Sequence, residues 1–288
     1  PYNFDKRLGL SATPDRWNDD LGTQALYDYF GDTVFELSID EAIKQGFLCR
    51  YMYYPKVVDL TDEELSEYEL LITKLSELGP TAIYTHSGKS LLSQLSELGN
   101  KARKKLDALR ELLQVGSDIE HALFYTVPSQ IDEILSVLGN EFGVRVHSFT
   151  ARETREERAR LLDSFDSGEL QGLVAMRCLD EGVDVPSTRT AYILASSENP
   201  RQFIQRRGRV LRKFPGKSSA IIHDLITAPP LQTNQLWRNN SDAFNMERNL
   251  LRSELKRFTE FSDSCENKYA AKERLVELAK RYNLLDEL

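Results

Sequence analysis

Cysteine is scarce. Cys49, Cys178 and Cys265 are the only three in 288 residues, far apart and odd in number, which argues against a disulfide frame or a thiolate zinc site and suggests reduced thiols. The four histidines show no ligand spacing, so no metal site is expected in the chain. No apolar run approaches the roughly 20 residues that span a bilayer, and residues 1–10 contain Asp, Lys and Arg with no apolar leader core; a cytoplasmic protein with no membrane partner is expected. An overall basic charge is also lacking: the net charge is −8, which argues weakly against wholesale coating of a polyanion. Finally, the phosphate-loop pattern G-x-x-x-x-G-K-[ST] is incomplete. Gly88-Lys89-Ser90 is present, but Ile83 stands where the first glycine belongs, and the setting is polar and helical rather than strand–loop–helix.

What is present is an ordinary globular composition, 41% hydrophobic and 28% charged, enough for one or two domains with a sizeable core. A continuous apolar run at 121–127 (HALFYTV) and further strands at 144–149, 173–175, 189–195 (RTAYILA) and 219–225 (SAIIHDL) alternate with helical patterns. That alternation predicts a parallel α/β sheet flanked by helices. Strands are also expected over 1–16, 34–37 and 50–60. Helices are expected over 17–30, from Ser38 to about Gly46, from about Ser129 to Asn140, and from Thr154 to near Gly168. Ser38/Glu41, Thr61/Glu64 and Thr154/Glu157 read as capping boxes. Residues 62–114 read as a helical insertion or connector broken at Gly79-Pro80. Residues 231–288 read as a helical appendage broken near 261–267, either packed on the lobe or serving as a partner-binding arm.

Basic residues are clustered despite the acidic total. Arg145, Arg152, Arg155, Arg158 and Arg160 form one group; Arg201, Arg206, Arg207, Arg209, Arg212 and Lys213 form another. Such stripes suit a phosphate backbone. A third spot, 101–105 (KARKK), reads as a solvated helix face. In the second group a helix is expected from Asn199 as N-cap and Pro200 at N1. At about 100° per residue, Gln202, Gln205, Arg209 and Arg212 fall within roughly 80° of arc, with Phe203, Ile204, Val210 and Leu211 on a packing sector. A row of amides and guanidiniums on a rigid element suits polyphosphate, because Arg offers a planar fork of donors and keeps its charge.

Three segments carry a resemblance: 205–212 (QRRGRVLR), 181–186 (EGVDVP) and 8–14 (LGLSATP). In this order, with a βαβ pattern between them, they resemble motifs VI, V and III of superfamily 2 helicases and translocases. The phrases CLDEGVDVP and NPRQFIQRRGRVLR resemble the XPB-like or restriction-enzyme-like DEAD/DEAH branch rather than the DEAD-box RNA branch. The resemblance spans roughly residues 1–60 and 115–228, and it implies a RecA-like sheet.

The resemblance also implies roles. ATP with Mg2+ would bind between two lobes, the metal held mainly by the first. Arg209 and Arg212 would act as arginine fingers on the transferring phosphoryl group, and Gln205 would sense nucleotide. Gly182 and Asp184 would lie near ribose and phosphates; Gly208, costly inside a helix, would permit a close backbone approach. Ser11, Ala12 and Thr13 would couple the metal-binding acid to the second lobe. Nucleic acid would cross on the side opposite ATP, gripped by Thr126, Thr150, Arg152 and Arg177. At 176–177 the chain reads Met-Arg, where a common form of motif V has Thr-Asp.

The expected organisation is the tail end of a first lobe over 1–50, a strand and helical connector over 51–115, a second RecA-like lobe over 116–228 and a helical appendage over 229–288. With no phosphate loop and no D-E-x-[HD] box, the chain is expected to be part of a longer protein and inactive alone. DNA rather than RNA is the expected track, and the missing first lobe and a nuclease or repair protein are expected partners. The alternatives are the motor of a restriction or phage-defence nuclease, and a nucleic-acid-binding module without ATPase activity.

Overall fold

The computed structural model describes residues 6–11, 14, 19–79, 81–82, 85–114, 119–175, 185–195, 208–228 and 241–288. In chain order the elements are α1 (Asp20–Phe30), α2 (Ile39–Lys44), β1 (Arg50–Val58), α3 (Asp62–Glu77), α4 (His86–Lys101), α5 (Lys104–Gln114), β2 (Ala122–Tyr125), α6 (Ile131–Ser136), β3 (Val146–Phe149), α7 (Arg155–Asp166), β4 (Gly172–Ala175), β5 (Thr190–Ile193), β6 (Ser219–Thr227), α8 (Ser241–Asp263) and α9 (Lys268–Arg281). Short 3-10 turns precede α6 and follow α9, and α6 runs on into a π turn over Val137–Glu141.

The six strands form one parallel sheet in the order β1-β6-β5-β2-β4-β3. Tyr125 lies opposite both Ala175 and Ile193, and Phe149 opposite Ala175, so β2, β3, β4 and β5 end together at one carboxyl edge. Strand alternation sorts the core. Leu123 and Tyr125 face a cluster containing Phe165, Val210, Leu211, Phe258 and Phe261; Ala122 and Phe124 face another with Leu106, Leu109, Ile134 and Leu138. One register row carries four stacked rings across the sheet: Tyr54–His223 at 5.4 Å, His223–Tyr192 at 4.9 Å and Tyr192–Phe124 at 4.7 Å.

Helix starts follow their side chains. Thr61/Glu64 and Thr154/Glu157 form reciprocal capping boxes, and Ser38 accepts from the Glu41 N–H at 3.1 Å. Gly168, at φ +80°, takes the left-handed conformation just beyond α7 that a side chain resists.

Four segments differ from the sequence reading. Residues 6–11 and 14, and 34–37, join no strand; Val34 and Phe35 are 96% and 75% exposed, with no described neighbouring strand to satisfy a ladder. The strand β1, expected in the connector, pairs with β6 over nine positions and forms an edge of the sheet. The 101–105 basic spot is only partly solvated: Lys105 is buried and donates to the Leu194 carbonyl at 2.5 Å, while Lys104 donates to the Leu60 carbonyl at 3.1 Å. The connector helices α3 and α4 pack with the start of α8 through Leu71, Ile72, Leu95, Leu98 and Ala243.

The tail packs on the lobe. The Asn267 side chain accepts from the Tyr53 N–H and donates to the Tyr53 carbonyl, both at 2.8 Å. It thereby occupies edge groups of β1 that would otherwise offer a pairing template. The Tyr51 hydroxyl donates to the Phe261 carbonyl at 2.7 Å. No described helix is long and apolar enough to cross a membrane.

Candidate active site and nucleic-acid edge

The carboxyl edge places Thr126 and Thr150 just beyond β2 and β3, two strands apart and both buried. Neighbouring strands are about 4.8 Å apart, so the two lie about 10 Å from each other across the sheet. Their hydroxyls are not alike. Thr126 Oγ1 points at Gln130 Oε1 at 3.5 Å, and Gln130 Nε2 donates to the Lys101 carbonyl at the end of α4 at 3.0 Å. This links the edge to the connector. At Thr150, the Glu153 carboxylate accepts from both the backbone N–H (2.6 Å) and the hydroxyl (2.9 Å), and the Arg152 N–H donates to the same hydroxyl oxygen at 3.1 Å. Arg158 donates to the Thr150 carbonyl at 2.9 Å. Arg152 itself is exposed. The Glu153 carboxylate therefore engages both donors of Thr150.

The end of the arginine segment lies at the other edge of the sheet. Gly208, Arg209 and Val210 are helical; Arg212 is beyond the helix, in an isolated antiparallel bridge with Leu48. The Cys49 N–H donates to the Leu211 carbonyl at 2.8 Å, and the Arg212 N–H to the Arg209 carbonyl at 3.2 Å. Leu48 and Cys49 precede β1, so this junction sits at the amino edge. Arg212 was expected to continue the helical row of Arg209; the bridge takes its backbone out of the helix. Pairing with Leu48 and the burial of Val210 and Leu211 (2% and 0% exposed) outweigh one further turn of helix.

Lys217 closes the junction. It is 9% exposed, and its Nζ donates to the carbonyls of Val210 (2.6 Å), Arg212 (3.0 Å) and Pro186 (3.1 Å). Burial pushes the Cys49 thiol up, while the Lys217 ammonium pulls it down. A lysine just after a Pro-Gly turn reads as a solvated side chain, because its acceptors come from distant segments; the turn was the only signal available. Lys105, Gln130 and Glu153 were missed for the same reason.

Other candidates are placed as follows. Ser11 is exposed, in a segment without assigned secondary structure. An added Cβ at Gly208 would meet nothing within 4 Å among the described atoms, so the described part of the chain does not itself make the close approach expected there. Ala12, Thr13, Arg177, Gly182, Asp184 and Gln205, with the Asn199–Pro200 helix start, lie outside the described residues. Among the described residues no group of three or more His, Cys, Asp or Glu is arranged to hold a metal. The Gly88-Lys89-Ser90 run forms the first turn of α4, and the Gly88 N–H is taken by the Thr85 hydroxyl at 3.0 Å.

The described residues form a six-stranded parallel sheet with helices packed on both faces, the layout expected of a RecA-like lobe. Residues 104–214 match the helicase conserved C-terminal domain, and the match opens at the start of α5. That segment is a helicase C-terminal domain of the superfamily 2 type. The chain is similar to the DNA 3'-5' translocase XPB2 of Sulfurisphaera tokodaii, 30% identical over 242 residues, which cover 77% of this chain and 52% of the relative. It is similar also to Putative helicase 22 of Sulfolobus islandicus filamentous virus (24% identical; 76% of this chain, 37% of the relative) and to UvrABC system protein B of Pectobacterium carotovorum (29% identical; 56% and 25%). The chain thus spans about half the length of the first of these relatives and less of the others. Among solved structures, the Sulfolobus solfataricus SWI2/SNF2 ATPase core in complex with dsDNA is similar at 14% identity and TM-score 0.49, covering 80% of this chain and 49% of that one.

Proposed function

We propose that this chain is the C-terminal portion of an ATP-dependent DNA helicase or translocase, and that it supplies arginine fingers to ATP held between it and a first lobe. The observation that carries the reading is the helicase C-terminal match over residues 104–214, which contains both EGVDVP and QRRGRVLR. Arg209 and Arg212 face the γ-phosphate in the closed state and stabilise charge on the transferring phosphoryl group. Gln205 reports on the nucleotide; Gly182, Asp184 and Gly208 line the approach to ribose and phosphates. Residues of the first lobe would mainly hold Mg2+, whose chemistry there would be to neutralise phosphate charge. Ser11, Ala12 and Thr13 pass the state of that lobe to this one.

The nucleic-acid track runs along the carboxyl edge at Thr126, Thr150, Arg152 and Arg177. Separation of this edge from the Arg212 junction at the amino edge supports two faces, one for ATP and one for the track. Closure on ATP and reopening after hydrolysis alternate the grip. The exposed apolar residues of the first 50, including Leu8, Leu10, Val34 and Phe35, support a covering first lobe. DNA as the track is supported by the translocase relative.

The test is phosphate release by the full-length natural protein with DNA and with RNA. Stimulation by DNA is expected, with no turnover by this chain alone. Stimulation by RNA only would overturn the DNA assignment, and no stimulation by either polymer would leave a binding module.

A further inference from the structure

We propose that Lys217 is a positioning residue for the arginine segment, fixing the end of QRRGRVLR against the end of EGVDVP. The inference rests on the finger reading of Arg209 and Arg212. A lysine ammonium has three N–H donors and no acceptor. Here all three have a carbonyl: Val210 at 2.6 Å, Arg212 at 3.0 Å and Pro186 at 3.1 Å. Val210 is the last helical residue and Arg212 the bridge residue; Pro186 closes the EGVDVP segment two residues after Asp184. One buried cation therefore ties together the ends of the two segments assigned to nucleotide.

The local sequence makes this reach possible. Gly216, at φ +77°, turns the chain, and the Lys217 N–H donates to the Phe214 carbonyl at 3.0 Å. The turn brings the side chain back under the helix end. Carbonyls at a helix C-terminus carry partial negative charge and favour a cation. Burial of that cation is tolerable only because every donor is satisfied. Guanidinium would be a poor substitute, since its planar fork cannot converge on three carbonyls as a point charge does. Loss of the ammonium leaves the carbonyls of Val210, Arg212 and Pro186 without that donor and frees the arginine segment to shift relative to Pro186.

A group acting this way affects catalysis only through the arginines. The test measures DNA-stimulated hydrolysis in the full-length natural protein for wild type, Lys217→Met, Arg209→Ala and the double variant. Misplacement of a reacting group by about 1 Å costs on the order of 100-fold in rate. Lys217→Met is therefore expected to lower kcat by about that factor with the KM for ATP within about twofold of wild type. In the Arg209→Ala background it is expected to cost little more. Lys217→Gln, which retains amide donors toward part of the carbonyl set, carries the same comparison if the Met variant fails to fold; an intermediate kcat is expected.

Equal losses in both backgrounds, or a rise in KM with kcat unchanged, would overturn the proposal while leaving the fingers in place. A Lys217 variant with wild-type kcat would do the same. A wild type without stimulated hydrolysis, or an Arg209→Ala variant as active as wild type, would remove the finger reading and this inference with it.

Discussion

Leu48 and Arg212 form an isolated antiparallel bridge, joined by the Cys49 N–H bond to the Leu211 carbonyl at 2.8 Å. The residue that enters β1 and the residue that ends the arginine segment are thus held backbone to backbone. Because β1 pairs with β6 over its whole length, the arginine segment is anchored to the sheet edge where the chain enters from its first 50 residues.

Leu211 holds this junction from below. It is fully buried in the cluster shared by β1, β6 and the tail helices. Leu211→Ala should cost about 2–5 kcal/mol of folding stability, read as a lower urea midpoint with an unchanged slope. A loss below about 1 kcal/mol would mean the junction is not packed as described.

His223 gives stability a dependence on acid. Burial, with a smaller contribution from Arg274, lowers its pKa to about 4 from an ordinary 6.5. The unfolded chain therefore takes up the proton first, and stability falls as pH drops from about 6.5 toward about 4. By pH 5 the loss amounts to about 2 kcal/mol. His223→Phe, which keeps a ring between Tyr54 and Tyr192, should remove this part of the pH dependence in denaturation at pH 7 and pH 5. An unchanged pH slope in the variant would contradict the assignment.

Glu247 acts in the opposite sense. It is 1% exposed in α8, and burial raises its pKa to about 7, with the Tyr282 and Tyr68 hydroxyls pulling it back down. The folded state holds its proton more tightly than the unfolded chain, so stability is full below about pH 4.5 and declines as pH rises through about 7. The decline reaches about 3 kcal/mol by pH 8. Glu247→Gln should gain on wild type between pH 5 and pH 8; a constant difference across that range would rule the proton uptake out.

The Gly88-Lys89-Ser90 run offers a contrast between two neighbouring positions. A Cβ at Gly88 would sit 1.9 Å from the Ala82 carbonyl oxygen, which is backbone, whereas Lys89 is exposed. Gly88→Ala should destabilise the connector by more than about 2 kcal/mol. Lys89→Ala should leave stimulated ATP hydrolysis at the wild-type rate. A collapse of hydrolysis in Lys89→Ala would restore a phosphate-binding role to this run.

Much of this architecture is legible because it is local. The apolar runs around Leu123, Val174 and Tyr192 read as strands buried on both faces, the run around Ile222 is a strand that alternates, with Ile221 36% exposed, and Thr61/Glu64 and Thr154/Glu157 announce their helices. The break between α8 and α9 falls within the expected 261–267 interval. What escapes is non-local. Residues 50–58 alternate like any strand, but nothing nearby says that β6 is their partner. Lys105 and Lys217 look solvated until Leu194, Pro186, Val210 and Arg212 bring carbonyls to them from elsewhere in the chain. Val34 and Phe35 have strand-forming side chains and no described strand to pair with. For the candidate site, Thr126 and Thr150 follow directly on two legible strands, so their place at the carboxyl edge is readable from the sequence, whereas nothing in QRRGRVLR says that Arg212 leaves the helix to bridge Leu48.

The central claim is that Arg209 stabilises the transferring phosphoryl group, and the most direct measurement is DNA-stimulated phosphate release by the full-length natural protein, wild type against Arg209→Ala. An arginine finger contributes on the order of 1,000-fold or more to kcat, so stimulated turnover should collapse by about that factor while DNA affinity at fixed salt is retained. An Arg209→Ala protein that hydrolyses ATP at the wild-type rate would contradict the account.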